Sequence, residues 1–85
     1  MGAPKVVMYV ADWCPYCARA RSLLEGKGVA IEAIDVEALP GAREEMRARS
    51  GRDTVPQVFI GESHVGGSDE LQALDADGRL DALLK

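Results

Sequence analysis

Residues 5–28 read KVVMYVADWCPYCARARSLLEGKG, and this stretch decides the fold. Lys5 to Val10 is a short apolar run rich in β-branched residues, which predicts a buried strand. Ala11-Asp12-Trp13 is a brief turn. Pro15 then suits the first position of a helix, where its missing N–H would be unsatisfied anyway. Residues 15–26 carry Cys17, Ala20 and Leu24 on one helical face with Leu23 beside them, and Gly26 and Gly28 provide the stop. A strand therefore feeds a helix across Cys14-Pro15-Tyr16-Cys17.

Downstream, Val29 to Val36 alternates, with Val29, Ile31 and Ala33 on one face and Ile34 and Val36 resuming after a phase change. This predicts a second strand, irregular near Ala33-Ile34. Leu39-Pro40 is expected to open a second helix that runs to about Ser50 and ends at Gly51, with Arg43, Glu44, Arg47 and Arg49 on a solvated face. Gln57 to Gly61 and Ser63 to Val65 predict a hairpin turning at Gly61-Glu62. Gly66-Gly67-Ser68-Asp69 starts a third helix with Ser68 or Asp69 as cap, and Asp77-Gly78 precedes a last helical turn or two, Leu80 to Lys85. The order β-α-β-α-β-β-α, with a right-handed parallel crossover first and an antiparallel hairpin later, predicts an α/β fold: a four-stranded mixed sheet with helices on both faces.

The 85 residues predict one domain, 1–85. The composition, 47% hydrophobic and 28% charged, is that of an ordinary globular protein. A net charge of -4 and no basic block argue against a nucleic-acid partner. No apolar run approaches the roughly 20 residues that span a bilayer. The N-terminus reads as a strand rather than a signal peptide, and after Met1-Gly2 a myristoylation signal would want Ser or Thr where Val6 stands. The expected location is the cytoplasm.

Two cysteines in one CxxC, in a cytosolic chain, fit redox chemistry or half a metal site. Structural zinc wants four ligands, and two Cys with the single His64 fall short unless carboxylates or a second subunit contribute. The blandest alternative is a pair of inert core thiols. Redox chemistry explains the placement best. Cys14 lies where a strand ends and a helix begins, and the positive end of a helix favours the thiolate, the species that attacks disulfides. Cys17, one turn on and expected to be less exposed, is then the resolving thiol. Arg19 and Arg21 read mainly as solvated helix residues. Trp13 is expected to pack, since large aromatics bury area first; shielding the site or touching a protein substrate is the alternative. His64, in the last strand, is given no catalytic role.

Three segments together resemble the glutaredoxin family across nearly the whole chain: Cys14-Pro15-Tyr16-Cys17, Thr54-Val55-Pro56 and Gly66-Gly67-Ser68-Asp69. The pattern is similar to the dithiol type, and closest to the short bacterial glutaredoxin 3 type, which shares an Arg-Glu-Glu-Met stretch like Arg43 to Met46. The resemblance implies a thioredoxin-like fold and a glutathione-dependent disulfide oxidoreductase, with Cys14 and Cys17 catalytic. It implies a cis-proline at Pro56, whose preceding backbone at Val55 would pair with an extended peptide such as glutathione. It further implies that Tyr16, Arg43, Thr54, Val55, Pro56, Gly67, Ser68 and Asp69 contact glutathione as cosubstrate, with no metal. Ser68 and Asp69 can also serve as helix caps. The potential expected for the class is about −200 to −230 mV.

Departures from the family pattern are Ala11 where many relatives carry Lys, and Ser68 where many carry a third Cys. Arg43 is left to hold glutathione's glycine carboxylate, or is a plain surface Arg. Implied partners are glutathione and glutathionylated or disulfide-containing proteins, ribonucleotide reductase among them, and the chain itself is expected to be a monomer. The rival readings are an electron donor served by thioredoxin reductase, and an iron–sulfur carrier bridging two chains through Cys14 and glutathione.

Overall fold

The structure, a computed structural model, describes residues 4–85. Met1-Gly2, weighed above as a myristoylation signal, lies outside the described residues. The elements are β1 (Val6–Val10), α1 (Pro15–Gly26), β2 (Ile31–Asp35), α2 (Ala42–Ser50), β3 (Gln57–Ile60), β4 (Ser63–Gly66), α3 (Ser68–Ala76) and α4 (Arg79–Leu83). The sheet order is β2-β1-β3-β4. β1 runs parallel to β2 and antiparallel to β3, and β4 returns antiparallel to β3. This is the expected mixed sheet, in a thioredoxin-like arrangement.

Alternation along the two central strands builds two cores. Val6, Met8, Val58 and Ile60 face Ala20 and Leu24 of α1, Leu71 of α3, and Leu80 and Leu84 at the C-terminal end. Val7, Tyr9 and Phe59 face Ala42 and Met46 of α2, with Val36. Helices therefore cover both faces. Across the first face, Lys27 Nζ ties α1 to the later helices, 2.6 Å from Asp75 and 2.9 Å from Asp81.

Three local expectations are corrected. The pairing of β2 is unbroken from Val6↔Ile31 to Val10↔Asp35. The phase change in its sequence reflects two buried faces: Ile31 packs into the α1 core, and Ile34 and Val36 into the α2 core. The one register shift lies instead in the hairpin, between Val58 and Phe59. The second helix starts at Ala42 rather than Leu39-Pro40, because Gly41 turns the chain at a left-handed φ of 81°. The cap of α3 is Gly67, with Ser68 and Asp69 already inside the helix. Its N–H is satisfied by the Glu70 carboxylate at 2.6 Å.

Candidate active site

The chain reverses after β1, and Ala11 O accepts from Cys14 N–H at 3.2 Å to close the turn. Cys14 is the N-cap of α1, and its sulfur accepts a hydrogen bond from the Cys17 amide at 3.2 Å. That amide belongs to the first helical turn, whose N–H groups favour negative charge on the sulfur. The same sulfur donates to Val55 O at 3.6 Å, so the loop before β3 is brought against the helix start. The Val55–Pro56 peptide is cis, as expected.

Both cysteines are free thiols, each only 5% exposed. The expected difference in exposure is absent, because Ala11, Val10 and Val55 pack over the pair together. What separates them is electrostatic. Burial, then the hydrogen bond with Cys14, pushes the Cys17 thiol up to about 12. Cys17 is therefore a neutral thiol at neutral pH. A thiol whose folded pKa lies above its unfolded value, near 9.0, stabilises the fold below pH 9. That contribution is lost as pH rises toward 12. Urea unfolding between those limits is expected to show the wild type losing stability faster than Cys17→Ala.

Beside Cys14 lies an open groove of about 240 Å³, lined by Tyr16, Arg52, Thr54, Val55, Pro56, Gly67, Ser68, Asp69 and Glu70. Seven of the expected contact residues thus share one wall system: Tyr16 from α1, the 54–56 loop, and the first turn of α3. The cysteines line a separate hollow of about 190 Å³ with Val10, Ala11 and Asp12. Arg43 is not in the groove lining. Its guanidinium is held on Asp53, 3.2 Å from the carboxylate and 3.3 Å from the carbonyl. Arg47 joins the same carboxylate at 2.8 Å, and the two cations hold Asp53 below the usual carboxylate range.

Besides Asp69, the groove carries two charged residues that sequence reasoning missed, Arg52 and Glu70. Arg52 Nη1 lies 3.0 Å from Glu70 Oε1, which also accepts from Gly67 N–H. The Gly67 amide first, and Arg52 second, keep the Glu70 carboxyl ionised to lower pH than usual. Glu70 was findable: an acid three residues after a helix cap is a capping-box spacing, masked here because the cap is a glycine. No local pattern marks Arg52. A methyl at Gly66 would meet Glu70 Oε1 at 2.7 Å and sit at a φ of 117°. Gly66→Ala is therefore expected to cost about 1–3 kcal/mol in urea unfolding and to displace Glu70 from the cap.

Trp13 is 65% exposed, against the packing expectation, because its indole N–H donates to Glu37 Oε1 at 2.9 Å and holds the ring over the surface. Tyr16 is likewise 54% exposed, with the Arg19 guanidinium 5.7 Å from its ring centre. Arg21 pairs with Glu25 at 3.4 Å on the helix surface.

The family model for glutaredoxin matches residues 6–65, which hold the CxxC turn, the cis-proline loop and the hairpin. The chain belongs to the glutaredoxin family. It is 52% identical over 80 residues to glutaredoxin 3 of Escherichia coli K12, covering 94% of this chain and 96% of that protein. The solution structure of a glutaredoxin from Brucella melitensis superposes with a TM-score of 0.87 at 52% identity, covering 100% of this chain and 92% of that one. The crystal structure of a buckwheat glutaredoxin–glutathione complex gives 0.87 at 29% identity, over 96% and 76% of the two chains. As a glutaredoxin, the protein is a thiol–disulfide oxidoreductase. Among the described residues, no helix is long and apolar enough to cross a membrane.

Proposed function

We propose that this glutaredoxin reduces protein–glutathione mixed disulfides with glutathione as cosubstrate, using Cys14 as nucleophile. The observation that carries the reading is the groove beside Cys14, bounded by Tyr16, the 54–56 loop and the first turn of α3. The Cys14 thiolate attacks the glutathione sulfur of the mixed disulfide. The protein thiolate leaves and takes a proton, and glutathione remains disulfide-bonded to Cys14. A second glutathione thiolate attacks that glutathione sulfur, giving oxidised glutathione and restoring the Cys14 thiolate.

The groove residues divide the tripeptide between them. Val55 offers backbone hydrogen bonds to an extended chain, with Thr54 and Pro56 shaping that wall. The free N–H groups at Ser68 and Asp69, reached closely over Gly67, take the γ-glutamyl carboxylate, and the Asp69 carboxylate takes the amine. Tyr16 flanks the bound sulfur. The groove cation suited to a carboxylate is Arg52, which lines the groove while paired with Glu70; Arg43, paired with Asp53 outside the lining, is the weaker candidate.

Protein disulfides use the same Cys14 and then Cys17. Cys17 attacks the Cys14 sulfur of the mixed disulfide, its proton passing to the departing protein thiolate, and the Cys14–Cys17 disulfide is reduced by two glutathiones. Residues 1–85 act as one monomeric domain in the cytoplasm, on glutathionylated and disulfide-containing proteins; ribonucleotide reductase is a substrate by family likeness.

The test is NADPH consumption with glutathione, glutathione reductase and a glutathionylated peptide. Turnover with these components, and none when thioredoxin reductase replaces glutathione and its reductase, supports the reading. The reverse pattern makes the protein a thioredoxin-reductase-coupled donor. Visible absorption after anaerobic purification would instead favour the cluster carrier.

A further inference from the structure

Gln57, fully buried at the start of β3, connects the groove wall to the outer strand. Its amide nitrogen donates to the Thr54 carbonyl at 2.9 Å and to the Thr54 hydroxyl at 3.2 Å. Its amide oxygen lies 2.7 Å from His64 Nε2, on β4. The direction of each bond follows from one fixed point. A backbone carbonyl only accepts, so the Gln57 NH₂ faces Thr54. The Gln57 oxygen then faces His64, and His64 carries its proton on Nε2. The imidazole is held in place against Phe59, ring centres 4.9 Å apart, at the register Phe59↔His64.

We infer that His64, acting through Gln57, is a positioning residue for the Thr54–Val55 wall of the groove. The two ends of an amide are nearly the same shape, so a donor at His64 is what makes one orientation of Gln57 the satisfied one. Remove that donor and a buried oxygen loses its partner, which loosens the hold of the NH₂ on Thr54. Thr54 and Val55 line the groove, and Val55 O meets the Cys14 sulfur, so the looseness is passed to the surface the substrate lies on. His64 itself is outside that lining. The inference rests on the reaction proposed above, because the wall matters only if substrate lies against it.

Three variants separate positioning from bulk stability. His64→Phe keeps a flat ring on Phe59 and removes the donor. His64→Gln supplies an N–H in its place. Gln57→Glu keeps the acceptor for His64 and sets an oxygen against the Thr54 carbonyl. Kinetics are measured with a glutathionylated peptide, well below the melting temperature of each variant. His64→Phe and Gln57→Glu are expected to raise KM about fivefold with kcat within about twofold, and His64→Gln to stay within about twofold of wild type. A merely structural role lowers Tm and leaves KM unchanged; that result overturns the inference while leaving the reaction standing. ¹⁵N NMR of the substrate-free protein gives the second measurement. It is expected to find neutral His64 protonated on Nε2, with Thr54 and Val55 amide signals that shift in His64→Phe and return in His64→Gln. A proton on Nδ1 overturns the inference. This arm needs no turnover, so it decides the matter separately from a failure of the proposed reaction.

Discussion

Cys14→Ser is expected to abolish turnover of a glutathionylated peptide, a loss of at least ~10³-fold in kcat/KM. Cys17→Ser is expected to keep that turnover and lose the reduction of protein disulfides. The asymmetry does not come from access, since the two cysteine residues are equally buried. It comes from what each sulfur receives. Cys14 occupies the cap position and takes a hydrogen bond from the helix start. Cys17, pushed up to about 12, is a protonated thiol at neutral pH and cannot lead the attack. The coupled NADPH assay with the two variants reads this directly. Equal loss in both variants would mean that the first reaction needs the pair, and the assignment of Cys14 as sole nucleophile in deglutathionylation would fall.

Leu71→Ala carries the largest expected effect on stability, about 2–5 kcal/mol. Leu71 is fully buried against the sheet with Val58, Leu24 and Leu80, and the wall around it is drawn from β-strands and two other helices that cannot collapse onto a missing side chain. A small domain has about 5–15 kcal/mol in all, so this change uses a large share of it. Leu71 also lies in the first turns of α3, the segment that presents Gly67, Ser68 and Asp69 to the groove. Urea unfolding should show a midpoint lower by about 1 M or more. Leu39→Ala, at a side chain 53% exposed, is the matched control and should stay within about 0.5 kcal/mol of wild type. Similar losses in both would mean that the buried cluster is not what α3 depends on.

The α1 face shows why much of this was legible in the chain. Cys17, Ala20 and Leu24 recur at helical spacing, and all three are buried where that spacing aims them. Val6 to Val10 is apolar without interruption because β1 is central and covered on both faces. The same two-sided burial was misread in β2, where apolar residues on both faces resemble a slip in register until the two cores are known. Pro15 and Gly51 acted as punctuation because their effects are local: one opens α1 at its first position, the other ends α2.

Most of the groove lining was legible, all but Arg52 and Glu70. Tyr16, Thr54-Val55-Pro56 and Gly67-Ser68-Asp69 were named through the family resemblance, which rests on short motifs — a helix start, a proline loop, a glycine pair — each contained in a few consecutive residues. Arg43 and Arg52 could not be sorted that way. Both are long, mobile cations, and which of them reaches the groove depends on where Asp53 and Glu70 stand in space.

By itself, then, the sequence determined the order of elements, the two-sided central strand, the cysteine at a helix start and the family. Those follow from periodicity, turn chemistry and motif, all set by neighbours along the chain. Only the tertiary structure decided that the Cys14 sulfur meets Val55, that Trp13 is held outward by Glu37, that Arg52 rather than Arg43 lines the groove, and that His64 reaches Thr54 through Gln57. Each of these joins residues from separate segments. Their energies depend on distance and burial, which exist only once the sheet has brought those segments together.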